Sequence, residues 1–105
     1  MPDWQVDPRK ILDYLLNEAS PTGAAKARFF RAGGYQRGYW MELAEALCAH
    51  PTTASLQEID AGSPYGEKRV FRCRIAMPDG RAPCIRTVWQ RRDGVYWLVT
   101  ASPFD

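Results

Sequence analysis

Two Asp-Gly pairs, Asp79-Gly80 and Asp93-Gly94, divide the C-terminal part of this chain into runs of alternating apolar and polar residues. Aspartate and glycine both tolerate the positive φ of a tight reversal, so the pattern specifies consecutive antiparallel hairpins. The implied strands are Lys68–Met77, Arg81–Arg91 and Val95–Ala101. If Pro78-Asp79 forms a type I turn followed by a bulge at Gly80, Met77 faces Arg81 across the ladder. Phe71, Cys73 and Ile75 then share a face with Ile85, Thr87 and Trp89, while Arg72, Arg74 and Arg86 share the other. A two-residue turn would slip the register by one and carry Arg86 to the apolar side. The bulged turn is preferred because it segregates the charges into a core face and a cationic shelf.

Upstream the pattern turns helical. Residues 1–6 read as a loose lead-in tethered by Trp4. Asp7 caps a helix that opens at Pro8 and presents Ile11, Leu12, Leu15 and Leu16 on one face. Ser20-Pro21-Thr22-Gly23 breaks it. A second helix, Ala24–Ala32, turns Ala25, Phe29 and Ala32 inward and stops at Gly33-Gly34. A third, Tyr39–Ala49, buries Leu43, Ala46, Leu47 and Trp40, and ends at His50-Pro51. Thr52–Asp60 alternates weakly and reads as an edge strand, with Ala61–Gly66 a loop. Helices first and strands afterwards specify an α+β fold, N-terminal helices packed on one face of a four-stranded antiparallel sheet. The expected organisation is one domain over residues 1–105, helical over 1–50 and sheet over 52–102.

Charge narrows the range of partners. Residues 1–60 carry six Lys/Arg against eight Asp/Glu, whereas residues 61–105 carry eight against four. A basic half points to an acidic protein or a phosphate-bearing substrate. No run of about 18 apolar residues could span a membrane, and Met1–Lys10 lacks the apolar core of a signal peptide. Cys48, Cys73 and Cys84 are an odd number without metal-ligand spacing, and Cys73 and Cys84 point to opposite faces. Three reduced thiols and a cytoplasmic location are expected, with no metal and no cofactor.

Glycine-rich phosphate loops, His/Cys metal pairs and Gly-x-Ser-x-Gly elbows are absent. His50, the one histidine, stands at a helix end before proline, a structural position. The remaining candidates are arginines and hydroxyls. Arg72, Arg74 and Arg86 could clamp phosphate through bidentate guanidinium contacts, the alternative being a solvated sheet face. Thr87 and Thr100 lie on neighbouring strands. Trp89, Tyr96 and Trp97 are able to stack on bases, though strand aromatics usually serve the core.

Tyr14-Leu15-Leu16-Asn17, followed after a gap by Gly23-x-x-Lys26-Ala27-x-x-Phe30, resembles a helical signature of small bacterial toxin domains. The chain also resembles an uncharacterised family of small bacterial proteins, through Tyr65-Gly66 before the strands, Thr87-Val88-Trp89, and Leu98-Val99-Thr100-Ala101. Both are similar to the barnase, EndoU, colicin D and RelE group of metal-independent ribonucleases, over residues 9–103. The resemblance implies helices followed by a four-stranded sheet, and it implicates Lys26, Thr87 and Thr100 in catalysis. Arg72 and Arg86 join them through the shelf, with Arg74 as a further RNA contact. The implied reaction is cleavage of RNA by its own 2′-hydroxyl, Lys26 acting as base and the arginines stabilising the phosphate. Two other readings stand beside this toxin-like ribonuclease. One is a non-catalytic RNA- or protein-binding module, the other an adaptor of toxin–antitoxin type whose shelf meets an acidic immunity or antitoxin protein.

Overall fold

A computed structural model describes residues 3–62, 64 and 66–104. The fold is α+β: three helices and a five-stranded mixed sheet. In chain order come β1 (Asp3–Gln5), α1 (Pro8–Lys10) running into a π-helical stretch (Ile11–Leu15), and α2 (Ala24–Ala32). A single 3-10 turn (Arg37–Tyr39) then leads into α3 (Trp40–Ala49). The strands β2 (Leu56–Asp60), β3 (Lys68–Arg74), β4 (Cys84–Arg92) and β5 (Val95–Pro103) follow.

The sheet order is β1-β5-β4-β3-β2, which corrects the expected four-stranded antiparallel sheet. Its last four strands are antiparallel, and β1 adds a fifth that runs parallel to β5, with Trp4 opposite Tyr96. The lead-in is therefore a strand. Trp4 holds it, stacked 4.6 Å from Tyr96 and edge-on to Phe71 and Trp89 at 5.4 and 5.3 Å. Aromatic rings at these separations gain from packing beyond the area they bury.

The central ladder takes the bulged-turn register. Met77 N–H donates to the Arg81 carbonyl at 2.8 Å and Gly80 N–H to the Met77 carbonyl at 3.0 Å, with Gly80 at φ +91°. Phe71 consequently faces Thr87 and Cys73 faces Ile85, while Arg72 faces Arg86 on the opposite surface. Asp93 and Gly94, at φ +53° and +80°, close β4 onto β5. Gly66 permits a close approach: a Cβ there would collide with the Arg91 carbonyl. Its neighbour Tyr65, the other half of the pair noted in the sequence, lies outside the described residues.

The helices cover the face that carries Phe71, Ile85, Trp89, Leu98 and Ala101. Asp7 caps α1 as expected, its Oδ1 accepting from Arg9 N–H at 2.9 Å. Ile11, Leu15 and Leu16 are wholly buried, whereas Leu12 is only half-buried, because the wider π turn rotates it off the apolar face. In α2 the fully buried residues are Ala27 and Phe30; Phe29 packs partly buried against the core as expected, whereas Ala25 and Ala32 are exposed. Leu43 and Leu47 anchor α3, with Trp40 and Ala46 partly buried beside them. All three cysteines are free, with Cys84 opposite Arg74 and Cys73 opposite Ile85 on the other face.

Candidate functional site

The site begins with an irregularity in β5. Val88 pairs with Thr100 but Trp89 pairs with Leu98, so Val99 is an extra residue in the strand. A bulge resets the alternation of side chains. Leu98 and Ala101 both enter the core, and Thr100 comes out on the face of Val88 and Arg86. The π turn acts similarly on the helical side. It keeps Ile11 and Leu15 in the core while Tyr14 reaches across to Thr100, their hydroxyls 3.1 Å apart.

Around this hydrogen bond lies an open cleft of about 850 Å³. Lys10, Tyr14 and Lys26 line it from the helical side, and Arg86, Thr100 and Ser102 from the sheet. The Lys26 and Lys10 ammonium groups stand 5.5 and 5.6 Å from the Tyr14 ring centroid. None of the ion pairs among the described residues uses Lys10, Lys26 or Arg86. The acid Asp7 at the rim is engaged by Arg9 at 2.9 Å, whose hydrogen bonds hold its carboxyl below the usual carboxylate range. Asp13 also lines the cleft and enters none of the ion pairs among the described residues, so Lys10, Lys26 and Arg86 leave a cationic excess around the two hydroxyls that suits an anion such as a phosphate.

Like Asp7 and Arg9 at the rim, Tyr14 lines this cleft with its ionisation shifted by its neighbours. Burial pushes its phenol up, but the Thr100 hydrogen bond and the charges of Lys26 and Lys10 outweigh that and leave its pKa below the ordinary tyrosine value. A phenol tuned in this direction is a better proton acceptor near neutral pH. Of the residues named from sequence, the cleft gathers Lys26, Arg86 and Thr100. It also contains Tyr14 and Lys10, which sequence reasoning missed. Tyr14 was absorbed into a core motif, yet it lies four residues after Lys10, a spacing that puts the two on one helical flank.

The other candidates lie elsewhere. Arg72 is the cross-strand neighbour of Arg86, and its guanidinium lies 3.3 Å from the Phe104 ring centroid, so the shelf is partly capped by an aromatic ring. Arg74 is exposed two residues further along the strand. Thr87 is displaced from the cleft altogether. It is fully buried on the core face, where Trp89 Nε1–H donates to its Oγ1 at 2.9 Å. That leaves the Thr87 hydroxyl to donate to His50 Nδ1 at 2.9 Å, and His50 Nε2–H to donate to the Cys73 carbonyl at 3.0 Å. Thr87 thus joins β4 to the end of α3 and faces the core rather than the cleft. Burial pushes the His50 pKa below the ordinary imidazole value, against the opposing pull of its backbone hydrogen bonds.

Among the described residues no three of His, Cys, Asp and Glu are grouped closely enough to hold a metal ion. No described helix is long and apolar enough to cross a membrane.

Comparison with known proteins bears on both the sequence family and the fold. The family model described as a domain of unknown function, DUF6883, matches residues 2–105. A chain in the contact-dependent growth inhibition toxin–immunity protein complex from Klebsiella pneumoniae 342 shares the fold with a TM-score of 0.79. The alignment covers 95% of this chain and 92% of that one at 19% identity. No curated protein matches the sequence.

Proposed function

From the premise that the chain belongs to the DUF6883 family, we propose that it is a toxin-type domain that cleaves RNA phosphodiesters without a metal ion. The observation that carries this reading is the convergence of Tyr14, Lys26, Arg86 and Thr100 in one anion-accepting cleft. Its fold likeness to a chain of a toxin–immunity complex is consistent with a toxin-type or an immunity-type role, and the cationic cleft favours the first; an acidic immunity protein would then meet the same cations.

In the proposed reaction Tyr14, ionised to its phenolate and held by Thr100, accepts the proton of the ribose 2′-hydroxyl and becomes the neutral phenol. The 2′-oxygen attacks the adjacent phosphorus as the bond from phosphorus to the 5′-oxygen breaks. Arg86 and Lys26 stabilise the charge that builds on the phosphoryl oxygens, where fixed cations act most strongly. An ammonium of Lys10 or Lys26 returns a proton to the leaving oxygen. Arg72 and Arg74 extend the cationic track along the RNA backbone. The products are a 2′,3′-cyclic phosphate, opening to a 3′-phosphate, and a 5′-hydroxyl.

Inducing the protein without a neutralising partner should arrest growth and shorten cellular RNA. In vitro, chelator should leave cleavage unchanged, and RNA with a 2′-deoxy residue at the cut site should resist. Full cleavage of the deoxy substrate would overturn the mechanism. A folded protein that binds RNA and never cuts it would favour the docking-module reading.

A further inference from the structure

The cleft does not end at Thr100. Beside it, sharing Asp7, Lys10 and Val99, is a smaller recess of about 280 Å³ walled by Trp97, Gln90 and Arg92. Trp97 and Gln90 are cross-strand partners on β5 and β4. In a regular strand residues 97 and 100 would point to opposite faces. The extra residue Val99 brings both onto one surface, so the bulge that builds the cleft also builds its annex.

Three features of this recess lack a structural explanation. Trp97 is only half-buried, unlike Trp89 and Tyr96, which belong to the core. The Arg92 guanidinium lies 5.6 Å from the centroid of its ring, which keeps an aromatic wall beside a cation. The Gln90 Nε2 atom is buried and donates to no protein acceptor. Buried amide donors in native proteins find acceptors, and one without a partner inside the chain calls for an acceptor supplied from outside.

We propose that this recess is a nucleobase subsite. It takes one unpaired base of a single-stranded RNA whose phosphate lies in the neighbouring cleft. Trp97 stacks on the flat of the base. The Gln90 carboxamide, donor and acceptor in one group, reads its hydrogen-bonding edge, as amide side chains do for unpaired bases. The recess is too small for a paired helix, which selects single strands. From the functional reading above, the inference takes only that the adjoining cleft binds phosphate.

The test is titration of the full chain with each of the four nucleoside 3′-monophosphates, with inorganic phosphate as the base-free probe. The wild type should rank the four bases, with about tenfold or more between strongest and weakest. Trp97→Leu should weaken all four by about 5- to 100-fold, the range found for loss of a base-stacking aromatic. Gln90→Glu, which replaces the amide donor with a carboxylate acceptor, should reorder the ranking. Trp97→Leu should leave the affinity for inorganic phosphate unchanged, which also reports that it folds. Gln90→Glu adds a charge beside Lys10 and Arg92 and should lower the affinity for phosphate and all four nucleotides together, so its readout is the ranking. Equal affinities for the four nucleotides in the wild type overturn the subsite, whatever the variants do. An unchanged ranking in Gln90→Glu, or unchanged affinities in Trp97→Leu, overturns it as well. A protein that ranks the bases but never cuts RNA defeats the cleavage reading and leaves the subsite standing. One that cuts beside every base at the same rate defeats the subsite and leaves cleavage standing.

Discussion

At the scale of single residues, the chemistry turns on one phenol. Replacing Tyr14 by Phe removes the hydroxyl and keeps the ring between Lys10 and Lys26. Cleavage should fall by about 10²- to 10⁴-fold, the usual contribution of a positioned acid–base group. Thermal unfolding should move little, because only one half-exposed hydrogen bond is lost. In the wild type, the alkaline rise of the rate should level off below the ordinary tyrosine value of 10.0, since the Tyr14 pKa is lowered. A Phe variant that cleaves at the wild-type rate would remove Tyr14 from the mechanism. His50 gives a second prediction, about stability. Burial depresses its pKa below 6.5, so the unfolded chain takes up the proton first as the pH falls. Its contribution to stability is therefore complete above about pH 6.5 and declines as the pH drops through that value. Urea midpoints measured on either side of this pH should show the decline, and His50→Gln should remove it. Equal midpoints would mean that His50 is charged inside the fold.

At the scale of elements, the hairpins could be read in advance because their signals are local. An Asp-Gly pair sets a turn, the turn sets the register, and the register sent Arg72, Arg74 and Arg86 to one face and Phe71 and Trp89 to the other. Three elements left no such trace. A strand as short as Asp3–Gln5 has no periodicity to detect, and its parallel partner lies at the far end of the chain. The Val99 bulge follows no glycine, and the π turn occupies a sequence that serves equally well as α-helix. The candidate site depends on these last two irregularities, so sequence could name Lys26, Arg86 and Thr100 without bringing them together. The same blindness placed Thr87 with Thr100: the regular register from the Asp93-Gly94 turn would pair them, and the Val99 bulge sets Thr100 opposite Val88 on the other face. The weight of β1 is measurable. Trp4→Ala should cost about 2–4 kcal/mol, somewhat less than loss of a wholly buried tryptophan, since Trp4 is partly exposed. A chemical denaturation curve that does not shift would mean the strand is ornamental.

At the scale of the whole molecule, the segregation of charge should govern how RNA is held. Each phosphate contact made to a single strand releases counterions, with a log–log slope against salt of about −0.7 per contact. Arg72, Arg74 and Arg86 together should contribute roughly −2 to that slope. Changing all three to alanine should flatten it by that amount while the core face, untouched, keeps the fold. Because Arg72 is already engaged by Phe104, its single replacement should matter less than that of Arg86. An unchanged slope in the triple variant would reduce the shelf to a solvated surface.

The pairing of β1 with β5 also sets an order of events in time. Asp3–Gln5 is made well before the edge it occupies, Val95–Trp97. During synthesis, or refolding from one end, the helices and the hairpins can assemble from contacts near in sequence, and such contacts form fastest. The slot between Phe71, Trp89 and Tyr96 that receives Trp4 cannot exist until that assembly is done. β1, made before its partner β5, thus docks only after the helices and hairpins have assembled, and until it does the growing chain carries an uncovered aromatic slot.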